Sequence, residues 1–276
     1  MAAGMWIGAT AMSRKESETF RFGTLQTLGI NKVILNIYDD SAYNVSAWPM
    51  VDICHARGMK GLFWKRCLWY RYEWHSFDYL WLFDMDIVPH ATFSLAAVED
   101  WFRNTSSSIV QPSIRPARPG GRMSDHVDLN FDKMGECVAK CARIEVMTPI
   151  FQMHAWRDFY ASVLGNIPDN LLTISDRGLD KAFTGVAHMN GKNTLVLRDV
   201  SVVHRDTRSY DKLYRKMSGH GRPHGNLWLS LLDAFSNTIL ANPVYAIELF
   251  LWRHNGSVMK AAECHEKESC FRHSLL

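Results

Sequence analysis

Short apolar runs, separated by polar and glycine-marked breaks, alternate with stretches of helical periodicity along most of the chain. Met5–Thr10 reads as a first buried strand. Ser13–Leu28 reads as a helix that opens on Ser13 with Glu16 three residues later, a capping-box spacing, and stops at Gly29. Lys32–Tyr38 (KVILNIY) predicts a second buried strand that ends in Asp39 and Asp40. Trp48–Arg57 has a helical pattern closed by Gly58, and Lys60–Phe63 is a short strand candidate. Lys65–His75 is an aromatic-rich helix or loop leading into the run Tyr79–Pro89 (YLWLFDMDIVP). Thr92–Arg103 predicts a helix and Ser108–Gln111 a strand closed by Pro112. Arg143–Ile150 is strand-like, His154–Leu164 and Asp176–Thr184 are helical, and Thr194–Val203 is a late strand ending at His204. Strands alternating with helices predict an α/β fold on a mainly parallel, helix-covered sheet.

Two stretches fall outside that pattern. Residues 115–135 are polar, rich in Gly and Pro and without periodicity, which predicts a functional lid or a disordered segment. Arg205–Gly225 is basic and glycine-rich, and Leu227–Leu240 and Val244–Arg253 then read as apolar helices. No internal repeat is present.

The most informative run is Tyr79–Pro89. It is apolar, aromatic and short, then ends in Asp84 and Asp86 with one residue between them. Such a run reads as a strand buried on both faces, and acids at its carboxyl end lie where open α/β sheets bind ligands. Two carboxylates that close repel each other unless a cation sits nearby. Oxygen ligands suit a hard divalent ion, Mg²⁺ or Mn²⁺, and such ions commonly hold phosphate oxygens as well. In a parallel sheet Asp39, Asp40, Asp84, Asp86 and His204 would share one edge, where an imidazole could join Asp86 and, directly or through water, Asp84. Lys60, Lys65 and Arg66 precede the metal strand, either as a solvated cluster or as cations opposite a diphosphate. Asp180, at a predicted helix start, is an acid suited to the helix dipole or a general base for an acceptor hydroxyl. Glu145 lies inside an apolar run, as an edge residue or facing the crevice.

Composition narrows the classes further. The 276 residues, 47% of them hydrophobic, suffice for one large α/β domain or two small ones. A net charge of +3 without a long Lys/Arg cluster or RNA-binding motif gives no reason to expect nucleic acid as a partner. No apolar stretch reaches membrane-spanning length, so no transmembrane segment is expected. Residues 1–12 lack the basic start of a signal peptide. Cys54 and Cys67 read as buried thiols, and Cys137 with Cys141 or Cys264 with Cys270 as local disulfides only in an oxidising compartment. Cys264, His265, Cys270 and His273 lack a zinc-finger spacing but are a weak zinc candidate. Sequons at Asn44, Asn104 and Asn255 would be used only in a secretory compartment.

Together these residues resemble a known family. Gly58-Met-Lys60, Lys65-Arg66, Phe77 through Ile87, Val110-Gln111-Pro112 and Glu145 through Phe151 follow the order of the plant and algal family called domain of unknown function 707. Ala155-Trp156-Arg157, Gly178-Leu179-Asp180 and Val202-Val203-His204 continue the match, which covers roughly residues 5–210. That family often carries the label "lysine-ketoglutarate reductase trans-splicing related", but no Gly-x-Gly-x-x-Gly fingerprint follows the first strand here. It is similar in turn to glycosyltransferases of the GT-A type.

The resemblance implies a GT-A-like domain over 1–212, with a donor half of about 1–112 and an acceptor half of about 136–212; the 115–135 loop and the tail have no clear counterpart in the family, and 213–276 is expected from its own pattern as a helical extension. It implies that Asp39 or Asp40 meets the base or ribose of a nucleotide-sugar donor, with a UDP-sugar foremost. Asp84 and Asp86 would hold Mn²⁺ or Mg²⁺ on the diphosphate, with His204 closing the metal site. Asp180 would be the base toward a glycan or other hydroxyl acceptor. The Golgi or secretory lumen is favoured by resemblance and sequons, and the cytoplasm by the lack of a signal or anchor. Two other readings compete: a non-catalytic module binding a glycan or partner, and a haloacid-dehalogenase-type phosphatase with Asp84 as nucleophile. The second fits poorly, because Ile87-Val88-Pro89 follows the motif and Asp39-Asp40 lies upstream of it.

Overall fold

The run that carries the Asp-x-Asp does form a strand buried on both faces. In β4 (Tyr79–Leu82), Leu80 and Leu82 face one apolar cluster while Trp81, with Phe83 just beyond, faces another. The same alternation holds in β1 (Trp6–Met12), where Ile7 and Ala9 oppose Trp6 and Met12. It recurs in β2 (Lys32–Ile37), where Ile34 opposes Val33, Leu35 and Ile37. Side chains that alternate between two cores require helices on both sides of the sheet. The computed structural model describes residues 4–12, 22–38, 45–69, 76–117, 138–140, 144–174, 176 and 179–205.

Among them the strands join one nine-stranded sheet ordered β3-β2-β1-β4-β8-β6-β9-β5, with β7 also on β9. Its further strands are β3 (Val51–Cys54), β5 (Ile87–Pro89), β6 (Ser107–Pro116), β7 (Val138–Lys140), β8 (Ile150–Gln152) and β9 (Asn193–His204). The half from β3 to β4 is parallel throughout. The other half is mixed: β8 lies antiparallel between β4 and β6, β6 and β9 are parallel, and β5 and β7 run antiparallel to β9. Helices α1 (Phe22–Leu28) and α3 (Leu95–Asn104) cover one face. The other face carries α2 (Lys60–Cys67), α4 (Met153–Ser162), α5 (Asp169–Ile174) and α6 (Leu179–Met189). Trp156, fully buried, meets Trp64, Phe151 and Phe159 at the centre of that second core.

The structure corrects several expectations. The segment expected to be helical at Trp48–Arg57 contains strand β3, and the expected strand Lys60–Phe63 is the first half of α2. Strand β6 runs through Pro112 instead of stopping there. The register with β9 shifts between Pro112 and Ser113, and at such an irregularity a missing N–H costs little. Residues 144–149 are not strand and turn at Val146–Met147, and only Ile150–Gln152 is strand. Cys54 and Cys67, expected as thiols, form a disulfide: the end of β3 and the end of α2 bring their Cα atoms to 6.1 Å. Asp39, Asp40, Asn44, most of the 115–135 loop, Cys137, Cys141 and everything after Arg205, with the helical extension, Asn255, Cys264 and Cys270, lie outside the described residues.

Candidate active site at the carboxyl edge of the sheet

Strand β4 ends in a tight turn that fixes both acids. The Phe83 amide donates to the Ala9 carbonyl (3.0 Å) and the Asp84 amide to that of Met147 (3.0 Å). The Ile87 amide closes back on the Asp84 carbonyl at 3.0 Å. From there β5 lies antiparallel on the end of β9, pairing Ile87 with His204, and the Arg205 amide donates to the Asp86 carbonyl at 2.9 Å. This register brings the His204 ring to Asp86, with Nε2 3.2 Å from Oδ2. Both side chains are largely covered, 23% and 13% exposed.

Asp84 turns to a different partner. Lys60 Nζ lies 2.7 Å from each of its carboxylate oxygens. Lys60 is set there by two glycines. Gly58 has φ +154, and a side chain on it would run into Leu62 and the Thr173 backbone. A Cβ on Gly61 would lie 2.8 Å from Leu172 and Leu179, so its absence lets α2 seat against α5 and α6 with Lys60 at the lip of the site. Burial acts to lower the Lys60 pKa, but the charges of Asp84 and Asp176, the hydrogen bond to Asp84 and the charge of Asp86 outweigh it and hold the ammonium above its ordinary value. Burial also pushes the Asp84 carboxyl up; Lys60 opposes this without cancelling it, and Asp86 and Asp176 add to the rise.

Asp176 is the residue that sequence reasoning missed. The sequence pattern marks it only as the start of a helix, yet its charge acts on both Lys60 and Asp84. Asp180 is placed at the first turn of α6, 5% exposed, with its carbonyl accepting from Thr184 Oγ1 at 2.8 Å. Glu145 is buried at 9%, and its amide donates to Gln111 Oε1.

Lys65 and Arg66 do not join this cluster. They lie in the last turn of α2 and turn to α5: Lys65 Nζ is 2.8 Å from Asp169 Oδ1 and donates to the Ile167 carbonyl at 2.7 Å, and Arg66 Nη2 is 2.8 Å from Asp169 Oδ2. The expected row of three cations at a diphosphate is thus one cation at the acids and two in a helix–helix tie. A helix presents successive residues to different neighbours, and the sequence gives charge without direction.

The donor set suits a hard divalent ion, with one qualification from geometry. Adjacent ligands of an octahedral Mg²⁺ or Mn²⁺, each about 2.1 Å from the metal, lie about 3 Å apart. The Asp86 oxygen and the His204 nitrogen have that spacing. Asp84 is engaged by Lys60, and among the described residues no three His, Cys, Asp or Glu side chains converge as a metal-holding group. Asp86 and His204 thus have the spacing of two ligands, while the second acid, Asp84, is engaged by an ammonium. A separate open cavity of about 420 Å³, lined by Phe77, Asp78, Gln152, His154 and Arg157, lies at the opposite end of β4, away from these acids.

No protein-family model matches the sequence, and no curated protein does. Solved structures do resemble it. TarS residues 1–349 from S. aureus match with a TM-score of 0.50 and 11% identity over 92% of this chain and 75% of that one. GalNAc-T7, solved with UDP, GalNAc and Mn²⁺, matches with a TM-score of 0.46 and 8% identity over 88% of this chain and 57% of its own. A197 from STIV matches with a TM-score of 0.40 and 14% identity over 72% of this chain and 85% of its own. The likeness to TarS is one of fold, and the fold of this chain is α/β and GT-A-like.

Proposed function

We propose that the protein is a metal-dependent glycosyltransferase that moves a sugar from a nucleotide-sugar donor, a UDP-sugar foremost, to the hydroxyl of a glycan or other acceptor. The observation that carries this reading is the juxtaposition of Asp86 and His204 at ligand spacing, at the carboxyl edge of a GT-A-like sheet. Asp86 and His204 would hold Mn²⁺ or Mg²⁺, with Asp84 joining directly or through water. The ion, when bound, stabilises the charge of the departing nucleoside diphosphate. Lys60, already held in a field of carboxylates, supplies a second positive charge for the phosphates. Asp180 is the base that accepts the acceptor's hydroxyl proton, its low exposure keeping competing water away. Asp39 and Asp40 follow β2 on the carboxyl side and would meet the base or ribose.

The chain fits the domain of unknown function 707 family in its motif order, and we assign it there on that ground. The Cys54–Cys67 disulfide and the exposed sequon residue Asn104 favour the secretory lumen as its compartment. No helix among the described residues is long and apolar enough to cross a membrane.

The test is thermal unfolding with Mn²⁺ and a panel of UDP, GDP, CMP and ADP, since a ligand that binds the native state raises the melting temperature. A Mn²⁺-dependent rise with one nucleotide, lost in Asp86→Ala, is the expected result. One observation favours a second reading: the Lys60–Asp84 pair is complete without an ion, as a non-catalytic module on the same fold would have it. No rise with any nucleotide would favour that module.

A further inference from the structure

The contact between Lys60 and Asp84 constrains how the site must be loaded. Both oxygens of the carboxylate lie 2.7 Å from the ammonium, so neither can approach a divalent ion without bringing that ion close to a like charge. Lys60 also feels the charges of Asp176 and Asp86, so more than one carboxylate acts on this ammonium. The helix that carries Lys60 cannot simply swing away. Its far end is tied to α5 through Lys65, Arg66 and Asp169, and to β3 through the disulfide. The ammonium itself sits on a four-carbon stem with freely rotating donors, so it can change partners while the helix stays in place.

We propose that Lys60 is a resident counter-cation that Asp84 surrenders when the metal–nucleotide pair arrives, moving from the carboxylate to the donor diphosphate. This inference rests on the transferase reading above. The free site then takes divalent ion poorly, because Lys60 already neutralises Asp84. A nucleoside diphosphate gives the ammonium a better partner, opens Asp84 to the ion, and so makes ion and nucleotide bind with positive coupling. By linkage each must tighten the other by the same factor. Asp84 acts as a positioning residue for Lys60 in the empty site and turns toward the ion only in the loaded one.

This scheme separates Lys60 from an ordinary phosphate ligand, because its removal should have opposite effects on the two components. In Lys60→Met, calorimetric titration with Mn²⁺ alone should show binding about tenfold or more tighter than wild type. UDP titrated at saturating Mn²⁺ should bind about tenfold or more weaker. Lys60→Gln, which keeps a polar group at the lip, serves as a second variant, and unfolding curves without ligand check that each is folded. Mn²⁺ affinity unchanged or weakened in both variants, while wild type binds Mn²⁺ and UDP, overturns the counter-cation and leaves the transferase reading standing. Failure of wild type to bind Mn²⁺ and UDP under any order of addition overturns both.

Discussion

At its first residue α2 offers Lys60 to Asp84, while in its last turn Lys65 and Arg66 clasp Asp169. The two ends are built from the same residue types and separated by little more than one helical turn, yet their surroundings differ in kind. The far end is redundant. It has two cations on one acid, the Tyr160 hydroxyl donating to the Lys65 carbonyl at 3.1 Å, Trp69 stacked on Tyr160 at 4.3 Å, and the disulfide from Cys67 to Cys54. The near end has Lys60 paired with Asp84 and acted on by Asp176 and Asp86, and a glycine on either side of it. A region held by many interchangeable contacts anchors, whereas one where a single ammonium carries the tie to an acid can exchange partners with a ligand. The same contrast runs across the sheet. The parallel half is regular, and the acids sit where it meets the mixed half through β8 and, beyond that, through β5 on β9.

The largest effects are expected at the near end. Asp86→Ala should lower turnover by on the order of a hundredfold or more while leaving unfolding without ligand nearly unchanged. Unchanged turnover would remove Asp86 from the proposed site. Next come the two acids near α6. Asp180→Asn should reduce kcat by on the order of a hundredfold or more with KM for the donor little altered, as removal of a base does. Asp176→Asn should instead act mainly on nucleotide affinity, because its charge reaches Lys60 and Asp84. Steady-state kinetics of both variants check this, and a reversal of the pattern would make Asp176 the base.

At the far end the expected losses are of stability. Cys54→Ser with Cys67→Ser removes a crosslink over a separation of 13 residues and should lower unfolding free energy by about 2–3 kcal/mol, read by denaturant titration. The residual fold should still bind nucleotide, if the ends of α2 are as separate as their contacts imply. The smallest effect is at Asp169. Its hydrogen bond to Lys65, partly offset by burial and aided by Arg66, holds its pKa below the ordinary value of 3.8. A carboxyl so depressed contributes stability that is full above its unfolded pKa and lost as pH falls through the folded one. Asp169→Asn should therefore be less stable than wild type at neutral pH, and the gap should close below about pH 4. Since the group is well exposed, the gap is small; a gap that persists at low pH would assign the loss to packing.

How much of this was legible in the sequence depends on what each signal measures. Apolar runs gave β1, β2, β4 and β9 because burial on both faces leaves an unmistakable stretch of hydrophobic residues. The exchange of strand and helix around Gly58 has the opposite cause. Val51–Cys54 alternates too briefly to set a period, and Lys60–Phe63 is one helical turn that by itself looks like a strand. Asp84, Asp86 and His204 were readable as strand-end polar groups. That Asp86 would meet His204 while Asp84 met Lys60 was not, since partner choice depends on the antiparallel register of β5 on β9. Asp176 was hidden for a similar reason: it gains its role from a neighbour on α2 that no local pattern announces.

The pairing of Ile87 with His204 also has a meaning in time. Strand β5 is made early in synthesis, but its partner is the end of β9, the last described strand. Closing so long a stretch of chain is slow compared with forming a local helix or hairpin. The parallel half can gather around β1, β2 and β4 while Asp86 and His204 are still apart. Under the proposed function, competence to bind an ion would therefore wait for β9 to pair with β5, and a nascent chain that has not yet delivered β9 would have no complete site with which to capture metal.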